Sequence, residues 1–179
     1  SRGLGDVYKR QDVPRIWHEV KPLVDKALKH SHGEQLSEDV LQKLIKKHMI
    51  LFAGIEAQDL ASVCIAEIIN YPRKRMLHVT LAATKSGRDF ELWNETFGVV
   101  EDFGRAMGCT SVSAWTRKGF AKKLKWKHKP FEIPDKILKE WKKIGLSHLC
   151  LRTLGGGLKV TQHVKRLQEV IKELPETLA

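Results

Sequence analysis

Along residues 13–29 the apolar side chains Ile16, Trp17, Val20, Leu23, Val24, Ala27 and Leu28 return at steps of three and four. That period predicts a helix with one buried face. Pro14 suits its first turn, where a backbone N–H has no intrahelical partner. After the polar residues 30–36, Ser37 reads as an N-cap. Glu38 and Asp39 favour the positive helix end, and Val40, Leu41, Leu44 and Ile45 form the stripe of a second helix. The period then changes. Residues 49–57, 60–70 and 75–84 are rich in Ile, Val, Leu and Ala and are separated by turn-like Gln58-Asp59 and by 70–74, which predicts an antiparallel meander. The middle run, SVCIAEIIN, is apolar on both faces and belongs at the centre of a sheet covered on both sides.

Gly87 breaks the pattern, and residues 89–107 return to helical spacing through Phe90, Trp93, Phe97, Val100, Phe103 and Met107. Gly108 is placed to end that helix and CTSVSAW, 109–115, reads as the next strand. Arg117-Lys118-Gly119-Phe120 opens a short helix. Further on, 134–144 reads as helix, 147–154 as extended chain, Gly155-Gly156-Gly157 as a break and 159–174 as a last helix.

The first eleven residues, SRGLGDVYKRQ, have no such periodicity. The string matches a codon-by-codon translation of adaptor and transposon-end DNA used to prepare fragment libraries, so residues 1–11 are expected to be foreign to the fold. The rest is one domain's length, divided into a folded part at 12–130 and a C-terminal part at 131–179 whose structure the pattern leaves open. No apolar run approaches a membrane helix, and no membrane partner is expected.

Charge changes the picture only when divided along the chain. Residues 12–116 carry a net −1, residues 117–179 a net +10 and the first eleven +2, which together make the formal net charge of +11. Within the basic part, Lys122, Lys123, Lys125, Trp126 and Lys127 interleave cations with an indole, as surfaces that bind single-stranded nucleic acid do, although such a run more often faces water or an acidic partner. Three cysteines, Cys64, Cys109 and Cys150, are odd in number and far apart, which gives neither a disulfide framework nor a metal-ligand spacing. His30-Ser31-His32 lacks further ligands at sensible spacing and reads as a solvated loop, so no metal is expected. Gly155–157 with Lys159 departs from the spacing of a phosphate loop and is rejected as a nucleotide site.

Three stretches carry a resemblance: VPRIWHEVKPLVDKAL, VCIAEIINYPRKRMLHV and ELWNETFGVVEDFGRAMGCTSVSAWTRKGFAKKL. With Trp93 early in the long helix, Gly108-Cys109 at its end and Arg117-x-Gly119-Phe120 after the next strand, they are similar to small acetyltransferase-like proteins of tailed bacteriophages, in the acyl-CoA N-acyltransferase (GNAT) superfamily. The resemblance covers roughly residues 13–125. It implies an α/β fold, a GNAT-like central mixed sheet with helices on both faces. The family's short first strand would lie just before Val13 and is expected to be missing. A compact strand pair would close the family fold, where this chain instead turns rich in lysine and forms a basic C-terminal extension.

The resemblance also implies acetyl-CoA as cofactor and an amine as acceptor. Its pyrophosphate would sit on backbone N–H groups at the start of the long helix, where Lys85, Ser86, Gly87 and Arg88 stand, although the family's glycine-rich signature is lacking and Asp89 opposes a phosphate. Glu67 and His78 are the candidate general bases, each with an alternative structural role in the sheet. The tyrosine that would protonate the leaving thiolate is absent from LKWKHKPF, 124–131. Three functions are therefore carried forward. They are CoA-dependent N-acyl transfer, a non-catalytic structural or assembly protein of the phage particle, and a nucleic-acid-binding accessory protein, in the host cytoplasm or on the virion.

Overall fold

Alternating runs of one-faced helices and two-faced apolar strands can bury their surfaces only by layering, and the computed structural model shows such a layered arrangement over residues 6–7, 12–31, 33–85, 90–116, 127–130 and 148–153. In chain order these form β1 (Asp6–Val7), α1 (Val13–Leu28), α2 (Ser37–Ile45), β2 (Ile50–Glu56), β3 (Asp59–Tyr71), β4 (Lys74–Thr84), α3 (Phe90–Ala106), β5 (Ser111–Thr116), β6 (Lys127–Pro130) and β7 (His148–Thr153). The strands make a mixed sheet in the order β1-β2-β3-β4-β5-β7-β6. Among the described residues β4 and β5 are the one parallel pair, joined by α3 as the crossover such a pair requires.

The sheet divides the apolar interior in two. On one face Val20, Leu23 and Val24 of α1 and Val40 and Leu44 of α2 pack on Leu51, Val63, Ile65, Leu81 and Ala83. On the other, Trp93, Phe97, Val100 and Phe103 of α3 pack on Phe52, Cys64, Ala66, Leu77, Val112 and Ala114. Phe52 and Phe103 meet edge to face at 5.3 Å between ring centroids. β3 supplies both interiors with alternate residues, the reason its sequence is apolar throughout.

Three local features differ from the sequence reading. Ser37 is the first residue of α2 rather than its cap. Leu36 holds the cap position with an extended backbone, and its N–H donates to Asp39 Oδ2 at 2.8 Å. The carboxylate three residues into the helix thus does the capping expected of the serine hydroxyl. The first-strand position before Val13 is filled: Asp6 and Val7, from the stretch expected to be foreign, pair antiparallel with Ala53 and Phe52. Ladder hydrogen bonds use backbone groups alone, so an exposed edge accepts an extended segment without requiring a particular sequence. Beyond the lysine-rich turn of composition, β6 and β7 form an antiparallel pair, with β7 joined to β5.

Gly108 ends α3 as expected, at φ +72°, a conformation in which a side chain on Cβ is disfavoured. No helix among the described residues is long and apolar enough to cross a membrane. The expected helices at 117–120, 134–144 and 159–174 and the break at 155–157 lie outside the described residues.

Candidate functional site

β4 changes character halfway along its length. Its first half is paired on both sides, with β3 and, from Met76↔Ser111 to Val79↔Ala114, with β5. The register against β3 then slips: Ile65 opposes Leu81 and Ala66 opposes Val79, so that Thr80 falls between them as the extra residue of a bulge. The Thr80 hydroxyl donates to the Ile65 carbonyl at 3.0 Å. A bulge bends its strand and increases the local twist. The parallel ladder to β5 ends at this point, although β4 runs on to Thr84 and β5 to Thr116. The β5-facing edge of residues 80–84 therefore lies outside the ladder, at the carboxyl ends of two adjacent parallel strands, where open α/β sheets characteristically receive ligands.

One register step before the ladder ends, three polar residues lie in a row across the sheet. Glu67 of β3 is the cross-strand partner of His78 on β4, and His78 is in turn the partner of Ser113 on β5. Residues directly opposite each other in an antiparallel pair have Cβ atoms about 5 Å apart on the same face, here the face of Val63 and Ile65. Glu67 and His78 are half-buried, and Ser113 is fully buried. His78 Nδ1 and Ser113 Oγ are 2.8 Å apart. Burial pushes the His78 imidazole below its ordinary value, because withdrawal from water disfavours the charged ring. At neutral pH it is uncharged and able to accept a proton.

The far end of β4 gathers positive charge. Lys85 is exposed, and its backbone N–H donates to Ala61 O at 2.9 Å, so the chain keeps its hold on β3 one residue past the strand. Lys26, near the end of α1, donates from Nζ to Thr84 O at 2.7 Å and brings a second ammonium to the same end. Lys85 stands five residues beyond Thr80, about 16 Å at the rise of a strand. Ser86, Gly87 and Arg88 lie outside the described residues, as do Asp89, Lys122, Lys123, Lys125 and Trp126, while Lys127 is the first residue of β6. Among the described residues no group of three or more His, Cys, Asp or Glu side chains has the arrangement of a metal site.

The structure thus brings Glu67 and His78 together and sets Lys85 along the same strand from them. Thr80, Ser113 and Lys26 went unmarked in the sequence. A threonine in a strand and a serine in a strand are ordinary, and Lys26 reaches Thr84 across 58 positions of chain. The SVS of β5 alternates with the apolar Val112 and Ala114, and that alternation was the one local signal that Ser113 faces a polar neighbour.

No protein-family model matches the chain, and no curated protein sequence matches it. Solved structures do. An aminoglycoside 6'-acetyltransferase of type Ii superposes with a TM-score of 0.64 at 14% identity, over 87% of this chain and 100% of the other. A probable acetyltransferase from Staphylococcus epidermidis gives 0.61 at 8% identity, over 87% and 100%. An N-acetyltransferase from Thermoplasma acidophilum in complex with coenzyme A gives 0.55 at 10% identity, over 86% and 99%. Likeness at this identity establishes architecture, and the chain has the N-acyltransferase fold.

Proposed function

We propose that this chain is an N-acyltransferase that moves an acetyl group from acetyl-CoA to a primary amine, with His78 as general base. The observation that carries the reading is the end of the β4–β5 ladder at Val79↔Ala114, beside the Thr80 bulge and directly above the neutral His78. Architecture alone supports many functions, and it is this site that selects among them. An unladdered strand edge offers backbone donors and acceptors to a ligand's amide groups, as strand addition does. Lys85 and Lys26 at its far end suit a pyrophosphate, and Arg88 follows Lys85 by three positions in the sequence. The distance from Thr80 to Lys85 is on the scale of the arm joining the phosphates of coenzyme A to its sulfur. The donor set therefore fits the cofactor.

When bound, acetyl-CoA supplies the activated thioester. The chain's own task is to hold it and to take a proton. His78 accepts a proton from the incoming amine, directly or through one water, with Glu67 as its cross-strand neighbour. Glu67 is the second candidate base. Backbone N–H groups beside the Thr80 bulge are the donors this reading assigns to polarise the thioester carbonyl. The amine class is supported by the neighbours, one of which is an aminoglycoside acetyltransferase in complex with sisomicin.

A calorimetric titration of the whole chain with acetyl-CoA tests the reading. Saturable binding in the micromolar range is expected, weakened at least about tenfold, or 1.4 kcal/mol, in Lys85→Ala/Arg88→Ala. A folded sample that shows no heat at millimolar acetyl-CoA would exclude the cofactor and leave the non-catalytic reading.

A further inference from the structure

Ser113 is a hydroxyl-bearing residue in an apolar strand. It is 1% exposed, is flanked by Val112 and Ala114 that face the opposite interior, and has its oxygen 2.8 Å from an imidazole nitrogen. Burying a hydroxyl without a hydrogen bond is costly, so this contact is what retains a polar residue here. Together with Glu67 across the strand, the row Glu67–His78–Ser113 has the composition of a nucleophile, base and acid. Burial argues against the nucleophilic role: an attacking oxygen must reach its substrate, and Ser113 has almost no surface. The alternative is that the serine acts on the histidine.

A neutral imidazole carries its proton on one nitrogen, and a hydrogen bond to the other nitrogen decides which. If Nδ1–H donates to Ser113 Oγ, Nε2 holds the lone pair and is the basic atom. If the hydroxyl donates to Nδ1, Nε2 is already protonated and cannot act as a base. The free amino acid prefers the second arrangement, so a base at this position requires something to reverse that preference.

We propose that Ser113 is a positioning residue that accepts the Nδ1–H of His78, fixes the Nδ1-protonated tautomer and so makes Nε2 the proton acceptor. The catalytic meaning of this assignment rests on the acyl-transfer reading above, whereas the tautomer itself is a property of the unliganded chain. The two can fail separately. At His78 itself only a proton changes hands: it passes from the amine nitrogen to Nε2 as the N–C bond to the acetyl group forms and the thioester C–S bond breaks, the departing thiolate taking a proton from solvent, while Nδ1–H stays on its nitrogen and the bond to Oγ shortens as the ring becomes charged. Rigid parallel pairing on both sides of the contact, Leu77↔Val112 and Val79↔Ala114, holds the two strands in the register this bond needs.

Nitrogen-15 NMR of the whole chain, with the His78 ring assigned through loss of its signals in His78→Gln, reads the tautomer directly. The wild-type ring is expected to show a protonated Nδ1 and a pyridine-like Nε2 at pH 7.5. Ser113→Ala is expected to shift it toward Nε2-protonated and to lower kcat for acetyl transfer by about 10- to 100-fold with KM for acetyl-CoA nearly unchanged, the scale of losing a group that orients a functional imidazole. Ser113→Thr keeps the hydroxyl and is expected to recover most of both. A wild-type ring protonated on Nε2 overturns the proposal without any variant having to fold. So does a tautomer unchanged in Ser113→Ala, or a changed tautomer with undiminished kcat. Failure of the wild-type chain to bind acetyl-CoA in calorimetry strikes the acyl-transfer reading instead, whatever the tautomer.

Discussion

An imidazole held neutral by burial leaves a mark on stability as well as on chemistry. The folded-state value of His78 lies below the ordinary 6.5, so between the two values the unfolded chain binds more protons than the folded one. Stability from this residue is full above about 6.5, the unfolded value, and declines as pH falls toward the folded value. Urea midpoints measured from pH 7.5 down to 5 are expected to fall for the wild type, and to fall less steeply for His78→Gln. Parallel curves for the two would contradict the burial argument. The same depression keeps the ring deprotonated in mildly acidic solution, and the acid limb of a kcat/KM profile is expected below pH 6.5. Glu67→Gln, which removes the charge opposite while keeping the shape, separates the two candidate bases: a loss far smaller than that of His78→Gln assigns the proton to the histidine.

At the scale of elements, the interior under α3 has a pivot. Phe103 of α3 has no exposed surface and stands edge-on to Phe52 of β2, joining the helix to the sheet at one contact. Phe103→Ala is expected to lower the free energy of unfolding by about 3–5 kcal/mol, measured by denaturant titration. Such a loss approaches the whole stability of many domains. The helices and the meander were legible because their apolar residues repeat at 3.6 and 2, and packing preserved those periods: the stripe of Val20, Leu23 and Val24 is the buried face of α1. The Thr80 bulge was not legible. LHVTLAAT reads as an unbroken strand, and the one-residue slip arises from pairing with β3 rather than from any turn residue. Ser37 misled for a related reason, since Asp39 two positions later offers a stronger acceptor to the same helix end.

For the molecule as a whole, the order of strands was beyond a local reading. Hydrophobic periodicity says that a segment is a strand and which faces it buries, but not which neighbour it takes. The parallel join of β4 to β5 and the insertion of β7 between β5 and β6 are settled by contacts between distant segments. The candidate site inherits that limit. Glu67 and His78 were marked one by one from their chemistry, whereas their adjacency, and the serine on the third strand, exist only after the sheet has formed. The charge division is read from the sequence, with a net +10 in residues 117–179, and the two ammonium groups at the end of β4 come from residues 12–116, which carry a net −1.

The sheet that separates the two interiors also works as a partition. Side chains of α1 and α2 share no cluster with those of α3, so one layer can lift while the other stays packed on the strands between them. Hydrogen exchange followed by mass spectrometry is expected to show α2, nine residues long, opening in a unit of low free energy, with α3 and β3 released only in global unfolding. The row that includes His78 lies on the side of α1 and α2. Under the proposed function, partial melting of that helix pair would open the row to a bulky amine and would at the same time draw Lys26 away from Thr84.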